Sequence, residues 1–231
     1  MAVMIHREPL SRIVLASQSP RRRRLLAWLE LPFEADAVDT PEDLDTPLAA
    51  DPGALASHLA AEKACVAREE GLGADGLILA FDTLVVHEGA VLGKPRDERD
   101  AWRMLKSLSG RTHEVVTGCA LLGPHDPEPR VFSVKTQVQM KELTDCRIEA
   151  WMAMGTYLGC AGAYNIEAQV ASVAGDECFQ NVAGLPLCHL FVAVREEFAN
   201  GRIISEPAPP VCACDSALQR TCVLGPRTID G

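Results

Sequence analysis

A continuous apolar run near the middle of the chain constrains its fold more than any other feature. Residues 77–86 read LILAFDTLVV, and only Asp82 and Thr83 interrupt their apolar character. Such a run is typical of a central strand that is buried on both faces. A carboxylate inside that strand is unfavourable unless it is paired or holds a metal ion, so Asp82 is a candidate functional residue.

Strand-like and helix-like segments alternate along the rest of the chain. A short apolar run from Arg12 to Ser17 is followed by Ser19 and Pro20, a pair typical of a helix N-cap and first turn. Helical spacing recurs at 55–70, 96–109 and 145–154, and strand-like segments recur at 112–123 and 130–140. This alternation predicts the α/β class.

The patterned region spans residues 11–202, which we predict to form one domain. Residues 1–10 are a short N-terminal extension in this interpretation. Residues 203–231 include the polar and proline-rich sequence SEPAPPVCACDSALQRTC. We expect most of this last segment to be a disordered tail.

Charge and hydropathy exclude two classes of partner. The formal net charge is -10, whereas a nucleic-acid-binding module normally presents a basic face with interleaved aromatic side chains. No apolar run approaches the ~20 residues that a membrane-spanning helix needs. The N-terminus MAVMIHREPLSR also lacks the apolar core of a signal peptide. We therefore expect a cytoplasmic protein that binds neither nucleic acid nor membrane.

The nine cysteines are odd in number and scattered. Most lie in apolar contexts that favour reduced, buried thiols. Cys212, Cys214 and Cys222 in the tail have the spacing C-x-C-x7-C. Without a fourth ligand this spacing is a poor zinc signature, so we do not predict a metal there.

Positive charge is concentrated in the stretch LASQSPRRRRLL, where residues 21–24 are all arginine. Cations at a helix N-terminus are unfavourable for the helix, whereas an anion there is favoured. Arginine donates planar, bidentate hydrogen bonds that suit phosphate, and the Ser17 hydroxyl adds a donor. Helical spacing prevents all four arginines from facing the same way. We expect Arg21, Arg22 or both to face phosphate, and Arg23 and Arg24 to be solvated.

Three more charged residues stand in suggestive places. Lys63 lies in the alanine-rich segment LAAEKACVA, Lys94 in a Gly-Lys-Pro turn, and Glu42 in an acidic loop. Taken singly, each is typical of a solvated surface. His113 lies beside a turn but is isolated, so a catalytic base there is disfavoured. Walker-type, G-x-S-x-G and H-E-x-x-H motifs are absent from the sequence.

Combined, these segments resemble the Maf family of nucleoside triphosphate pyrophosphatases from about Arg12 to Arg195. LASQSPRRRRLL is similar to the family's opening S-x-S-P-R-R signature. The segments LAAEKA, FDT, GKP, SGRTHEVVTG, AGAY and NVAGLPL follow in the family's order and at similar spacing. Each segment alone is weak, but the ordered series is specific.

The resemblance implies a Maf/ITPase-like α/β fold, in which a two-lobed mixed sheet flanked by helices surrounds a deep central cleft, and often a homodimer. It implies hydrolysis of a nucleoside triphosphate to the monophosphate and pyrophosphate with Mg²⁺ or Mn²⁺. The implied catalytic residues are Asp82, Glu42, Lys63 and Lys94, with Asp82 and Glu42 as metal ligands. The implied substrate-binding residues are Ser17, Arg21, Arg22, Thr83 and Glu167. Whether Asp82 or Glu42 is the general base stays open, and the role of Glu42 depends on an ungapped alignment of its loop.

Two branches of the family differ in the base they prefer, and this chain resembles each branch at different residues. Cys160 and Glu167 resemble the branch associated with 7-methyl-GTP, whereas Tyr164, Asp82-Thr83 and THEVVTG resemble the dTTP/UTP branch. A carboxylate accepts hydrogen bonds from the guanine edge, so Glu167 slightly favours guanine if it faces the base. If Glu167 faces a metal or an arginine, this argument does not apply. The alternatives are a dTTP/UTP pyrophosphatase and a non-catalytic nucleotide-binding regulator of cell division. The presence of Asp82, Lys63 and Lys94 together argues against the latter.

Overall fold

The computed structural model describes residues 9–230 and contains a mixed sheet at its centre. The described strands are β1 (Arg12–Ala16), β2 (Phe33–Asp36), β3 (Gly76–His87), β4 (Ala90–Leu92), β5 (Thr112–Leu122), β6 (Arg130–Met140) and β7 (Ala171–Val173). Their order is β2-β1-β3-β5-β6-β7, and β4 pairs with β3 outside this path. β1 is parallel to both β2 and β3, whereas β3, β5, β6 and β7 are paired antiparallel. The predicted α/β class and mixed sheet are confirmed.

Helices cover both faces of this sheet. The described helices are α1 (Pro20–Leu26), α2 (Pro52–Glu69), α3 (Glu98–Leu108), α4 (Asp145–Met152), α5 (Phe179–Val182), α6 (Leu187–Ala199), α7 (Val211–Leu218) and α8 (Leu224–Asp230). The largest apolar core contains buried side chains of α1, α3, α4 and α6, and a second face is covered by α2. Gly118 of β5 allows α2 to pack directly on the sheet, because a Cβ there would overlap the backbone of Ala56.

The central apolar run forms β3 as predicted, and β3 is longer than the neighbouring β1. β1 ends at Ala16, which is opposite Ala80. Asp82 and Thr83 therefore lie on the part of β3 that extends past β1. This offset exposes part of a buried strand to the space beyond the end of β1.

The segment after Arg202 differs from the expected disordered tail, because α7 and α8 lie in it. Cys214 and Ile229 are buried, and Arg195 of α6 donates to the Ile229 carbonyl at 2.9 Å. Widely spaced apolar residues in a polar, proline-rich sequence give a weak periodic signal, although they suffice to cover one side of α6. The predicted extension 1–10 lies mostly outside the described residues. Leu10, at its end, pairs with Ile203.

Between residues 9 and 230, no helix combines the length and the apolar character needed to cross a bilayer.

Candidate functional site

A cleft of about 660 Å³ opens beyond the carboxyl end of β1. The chain leaves β1 through α1 toward β2 and returns through α2 to β3 on the other side of β1. In open α/β sheets, ligands bind at such a switch point. The cleft walls come from the start of α1, the acidic loop 38–42, the middle of β3, the turns at 155–164 and the segment 182–184.

The first wall contains Arg21 and Arg22, whereas the next two arginines lie outside the cleft. Arg22 donates from Nε to the Gly184 carbonyl at 2.9 Å and from its terminal nitrogens to Thr83 Oγ1 at 3.0 Å and Ser17 Oγ at 3.4 Å. Arg21 Nε donates to the Ala183 carbonyl at 3.4 Å. These bonds fix both guanidinium groups at the cleft.

Burial lowers the pKa of Arg22, although the negative charge of Asp82 acts in the opposite direction. The guanidinium also lies over the Phe81 ring, 5.8 Å from its centroid. An arginine nevertheless remains protonated at neutral pH because its ordinary pKa is above 12. Arg22 is therefore a fixed positive charge held between β3 and the segment 182–184.

A buried polar network lies behind Arg22. Thr83 Oγ1 is 3.0 Å from Thr117 Oγ1, and the Thr117 hydroxyl donates to the Asn181 carbonyl at 3.1 Å. Asn181 Nδ2 donates to the Val134 carbonyl at 3.0 Å and to Thr136 Oγ1 at 3.1 Å. Asn181 thus fastens α5 to β6, and the carbonyls that hold Arg21 and Arg22 follow α5 directly.

The opposite wall contains two carboxylates and two lysines. Lys63 of α2 forms an ion pair with Asp82 and donates to Glu42 Oε1 at 3.2 Å. Lys94 Nζ donates to the same Glu42 oxygen at 2.6 Å. Burial alone would raise the pKa of Glu42, but Lys63 and Lys94 outweigh it and the net pKa lies below the usual value. The structure therefore brings together all four residues that the resemblance implied to be catalytic.

Asp82 retains an unused hydrogen-bonding atom. Asp82 is buried, and Oδ2 has no hydrogen-bond partner in the described structure, whereas Oδ1 faces Lys63. An orphaned buried carboxylate oxygen is costly, and it fits a site completed by a cation or a water molecule. Mg²⁺ typically binds one or two carboxylates together with substrate phosphates and water. Asp82 and Glu42 fit that requirement.

Glu167 is the predicted site residue that the structure does not bring to the cleft. Its carboxylate forms an ion pair with Arg24. Both residues line a separate groove beside Trp28 and the end of α7. The argument for guanine required Glu167 to face the base, and it does not apply here because the carboxylate faces an arginine.

His113 and Tyr164 form a buried pair next to the cleft. His113 Nε2 is 2.7 Å from Tyr164 Oη, and Tyr164 lines the cleft. Burial, followed by the effect of His87, lowers the pKa of His113 to about 4. The imidazole is thus neutral at neutral pH, and it is enclosed rather than open to a substrate. Its position agrees with the expectation that His113 is not a catalytic base.

Sequence reasoning missed Thr117 and Asn181. Both are fully buried, and they lie in the segments THEVVTG and NVAGLPL. In the sequence, each is a polar residue inside an apolar segment, as Asp82 is. A neutral polar side chain in such a segment indicates a functional role less strongly than a carboxylate does.

Comparisons with known proteins show the family to which this chain is similar over most of its length. The profile of the Maf-like protein family matches residues 12–197. A protein of Moorella thermoacetica named dTTP/UTP pyrophosphatase is 48% identical over 185 residues, which cover 77% of this chain and 91% of that protein. A protein of Chlorobium luteolum with the same name is 42% identical over 191 residues, covering 80% and 96% of the two chains.

A solved structure, the Ham1 protein of Staphylococcus aureus, is 15% identical and covers 56% of this chain and 72% of that one. The TM-score of this match is 0.38.

Proposed function

We propose a substrate and a mechanism for this chain, which belongs to the Maf-like protein family. The chain is a nucleoside triphosphate pyrophosphatase, a hydrolase that acts on a phosphoric anhydride. The proposed substrates are dTTP and UTP, cleaved between the α- and β-phosphates to give the monophosphate and pyrophosphate. The observation that carries the proposal is the convergence of Arg22, Lys63, Lys94 and Asp82 on one cleft.

Charge supports a triphosphate as the ligand. Arg21, Arg22, Lys63 and Lys94 line the cleft together with the carboxylates of Asp39, Glu42 and Asp82. The cations outnumber these carboxylates, although the whole chain is acidic. Fixed cations in a sheltered site stabilise charge that develops on phosphate oxygens and on departing pyrophosphate.

Asp82 is the proposed general base. Lys63 holds Oδ1, which leaves Oδ2 free to accept a proton from a water molecule that attacks the α-phosphorus. Glu42 keeps Lys63 and Lys94 in place through its two hydrogen bonds. A bound Mg²⁺ ion, held by Glu42 together with substrate phosphates and water, would supply Lewis-acid stabilisation of the phosphate charge and leave Asp82 Oδ2 to act as the base.

The proposed pyrimidine preference replaces the expected preference for guanine. Glu167 faces Arg24 and does not line the cleft, so the carboxylate argument for guanine does not apply. The pyrimidine nucleotides are proposed because relatives that match most of this chain are named for dTTP and UTP.

A product assay with a nucleotide panel tests the proposal. The full chain is incubated with Mg²⁺ and dTTP, UTP, CTP, GTP or 7-methyl-GTP, and monophosphate, pyrophosphate and orthophosphate are measured. We expect monophosphate and pyrophosphate, with the highest kcat/KM for dTTP and UTP. Orthophosphate as the first product would contradict α–β cleavage, and a higher kcat/KM for either guanine nucleotide would contradict the pyrimidine preference.

The Asp82→Asn variant tests the general base. Loss of a positioned base costs about 100- to 10,000-fold in rate. Arg23→Ala, at an exposed position on the same helix as the cleft arginines, is the matched control and should keep its activity within about twofold. Wild-type kcat in the Asp82→Asn variant would refute the assigned role, and inactivity of the wild type with every nucleotide would favour the non-catalytic alternative.

A further inference from the structure

Residues 160–164 form a turn that contributes to the lining of the cleft, and we call it the bridging turn. Its Gly162 amide donates to the Gly93 carbonyl at 3.0 Å. Gly93 directly precedes Lys94 in the chain. This bond therefore ties the bridging turn to the segment that carries one of the cleft cations.

A second contact ties the bridging turn to the wall that contains the cleft arginines. Arg21 Nη1 donates to Cys160 Sγ at 3.5 Å, and the Cys160 thiol donates to the Thr156 carbonyl at 3.4 Å. Cys160 is buried at this contact. The bridging turn thus connects Arg21 with the segment of Lys94, and a shift of the turn would displace both cations.

The backbone of the bridging turn needs support from outside the turn. Gly162 and Ala163 both have positive φ angles, of 68° and 62°. Glycine adopts this left-handed region readily, whereas alanine does so rarely. Such a conformation persists only where surrounding contacts hold it. One of these contacts is the indole of Trp151, which donates to the Ala163 carbonyl at 2.8 Å.

The other contact is the hydrogen bond between Tyr164 and His113. Tyr164 ends the bridging turn, and its hydroxyl is 2.7 Å from His113 Nε2, with the two rings edge to face. Both side chains are buried. His113 lies on β5, a strand inside the sheet, so it connects the bridging turn to the most rigid part of the fold. The proposed mechanism gives this pair no role.

We propose that His113 is a positioning residue that acts through Tyr164 to hold the bridging turn in place. Through this turn, His113 keeps Arg21 and Lys94 where they bind the triphosphate. The inference rests on the proposed function, which makes these two cations ligands of the substrate. His113 itself lies outside the described lining of the cleft, so it acts without touching the substrate.

The position of the bridging turn indicates which kinetic constant His113 affects. The proposed general base Asp82 lies on β3, and its ion pair with Lys63 of α2 does not involve the turn. The cations that the turn holds are Arg21 and Lys94. A loosened turn should therefore weaken substrate binding, which raises KM, and leave kcat nearly unchanged.

Steady-state kinetics with dTTP on the full chain tests the proposal. Tyr164→Phe and His113→Leu should each raise KM by about 3- to 10-fold, the effect of one lost hydrogen bond, and keep kcat within about twofold. A change that merely lowered the folded fraction would instead lower the apparent kcat and leave KM unchanged. Tyr157→Phe is the matched control, because it alters the other tyrosine of the chain, which lies outside the described cleft lining. Its KM should stay within about twofold of the wild-type value.

The double variant His113→Leu/Tyr164→Phe separates positioning from stability. Removal of both partners leaves neither a buried hydroxyl nor a buried imidazole unpaired, so denaturant unfolding should show part of the stability lost in His113→Leu restored. The KM should nevertheless stay raised, by no more than in the larger single variant, because both changes remove the same bond. A wild-type KM in the double variant would show that the pair is merely structural and would overturn the proposal.

Alkylation of Cys160 by iodoacetamide, followed by peptide mapping, reports on the bridging turn without a nucleotide. Because this thiol is buried, Tyr164→Phe and His113→Leu should each raise its rate at least about threefold relative to the exposed Cys146. Cys160 rates equal to the wild-type rate in both variants would overturn the proposal, as would an unchanged KM in both. A wild type that cleaves no nucleotide, with Cys160 rates that rise as expected, would contradict the proposed function but not the anchoring of the turn by His113.

Discussion

Arg22 and Arg24 are two residues apart on the same helix, yet their surroundings differ completely. Arg22 is held by the Gly184 carbonyl and by Thr83, inside a cleft with Asp82. Arg24 is exposed and paired with Glu167 in another groove. The difference shows that partners, rather than the number of arginines, determine which positive charges can act on a phosphate. The same distinction separates Lys63, between two cleft carboxylates, from Lys106, which pairs with Asp145 on the surface.

The largest expected effect extends this comparison to the lysines. Lys63→Met should lower kcat/KM for dTTP by at least about 100-fold, because it removes the cation that orients Asp82 and leaves that buried carboxylate unpaired. Lys106→Met should change kcat/KM by less than twofold, because exposed ion pairs contribute little. Steady-state kinetics of the two variants measures the difference. Equal losses of kcat/KM in the two variants would show that location in the cleft does not determine which lysine contributes to activity.

The next effect concerns the support behind Arg22. Asn181→Leu removes the amide that bonds Val134 and Thr136, so we expect a loss in kcat/KM of about 10-fold and reduced stability. The loss should be less than additive with that of Arg22→Lys, since both changes misplace the same guanidinium. Denaturant unfolding separates the two consequences. Full additivity would indicate that Asn181 does not act through Arg22, and an unchanged kcat/KM in Asn181→Leu would indicate an effect on stability alone.

A smaller effect is expected from Lys94, which is about half exposed. Lys94→Ala removes one of the two cations that lower the pKa of Glu42, so this pKa should rise. If activity requires ionised Glu42, the acidic limb of the pH profile of kcat/KM should move to higher pH by a fraction of a unit to about one unit. A shift to lower pH, or no shift with intact binding, would contradict the role of this pair.

The smallest effect is expected from a change at Glu167, the partner of Arg24 outside the cleft. Glu167→Gln should change the ratio of kcat/KM for UTP and GTP by less than about twofold, because exposed ion pairs are weak and this one lies outside the cleft. Parallel assays with both nucleotides give the ratio. A change of ten-fold or more would place Glu167 against the base and restore the guanine argument.

The fold and the charged core of the site follow from local sequence signals. The run around Asp82 predicts a buried strand with one carboxylate, and Ser19-Pro20 predicts the start of α1. The rotation between successive helical residues predicts that Arg21 and Arg22 face phosphate while Arg23 and Arg24 face solvent. These inferences succeed because strand burial, capping and helical period act over a few neighbouring residues.

Other features depend on contacts that the sequence pattern does not contain. Glu167 pairs with an arginine 143 residues earlier in the chain, so its side-chain direction cannot be read from its own segment. Asn181 is neutral, and its role depends on two strands that lie far from it in sequence. The tail helices are short and few of their side chains are buried, so their sequence gives only a weak periodic signal.

Substitution of each arginine by lysine tests the central claim most directly, because charge is kept while the planar set of donors is lost. The measurement is kcat/KM for dTTP in Arg22→Lys and Arg24→Lys, compared with the wild type. We predict a loss of at least about 10-fold for Arg22→Lys and a change below about twofold for Arg24→Lys. Equal values for the two variants would contradict the claim that the partners of Arg22 make it the phosphate-facing arginine.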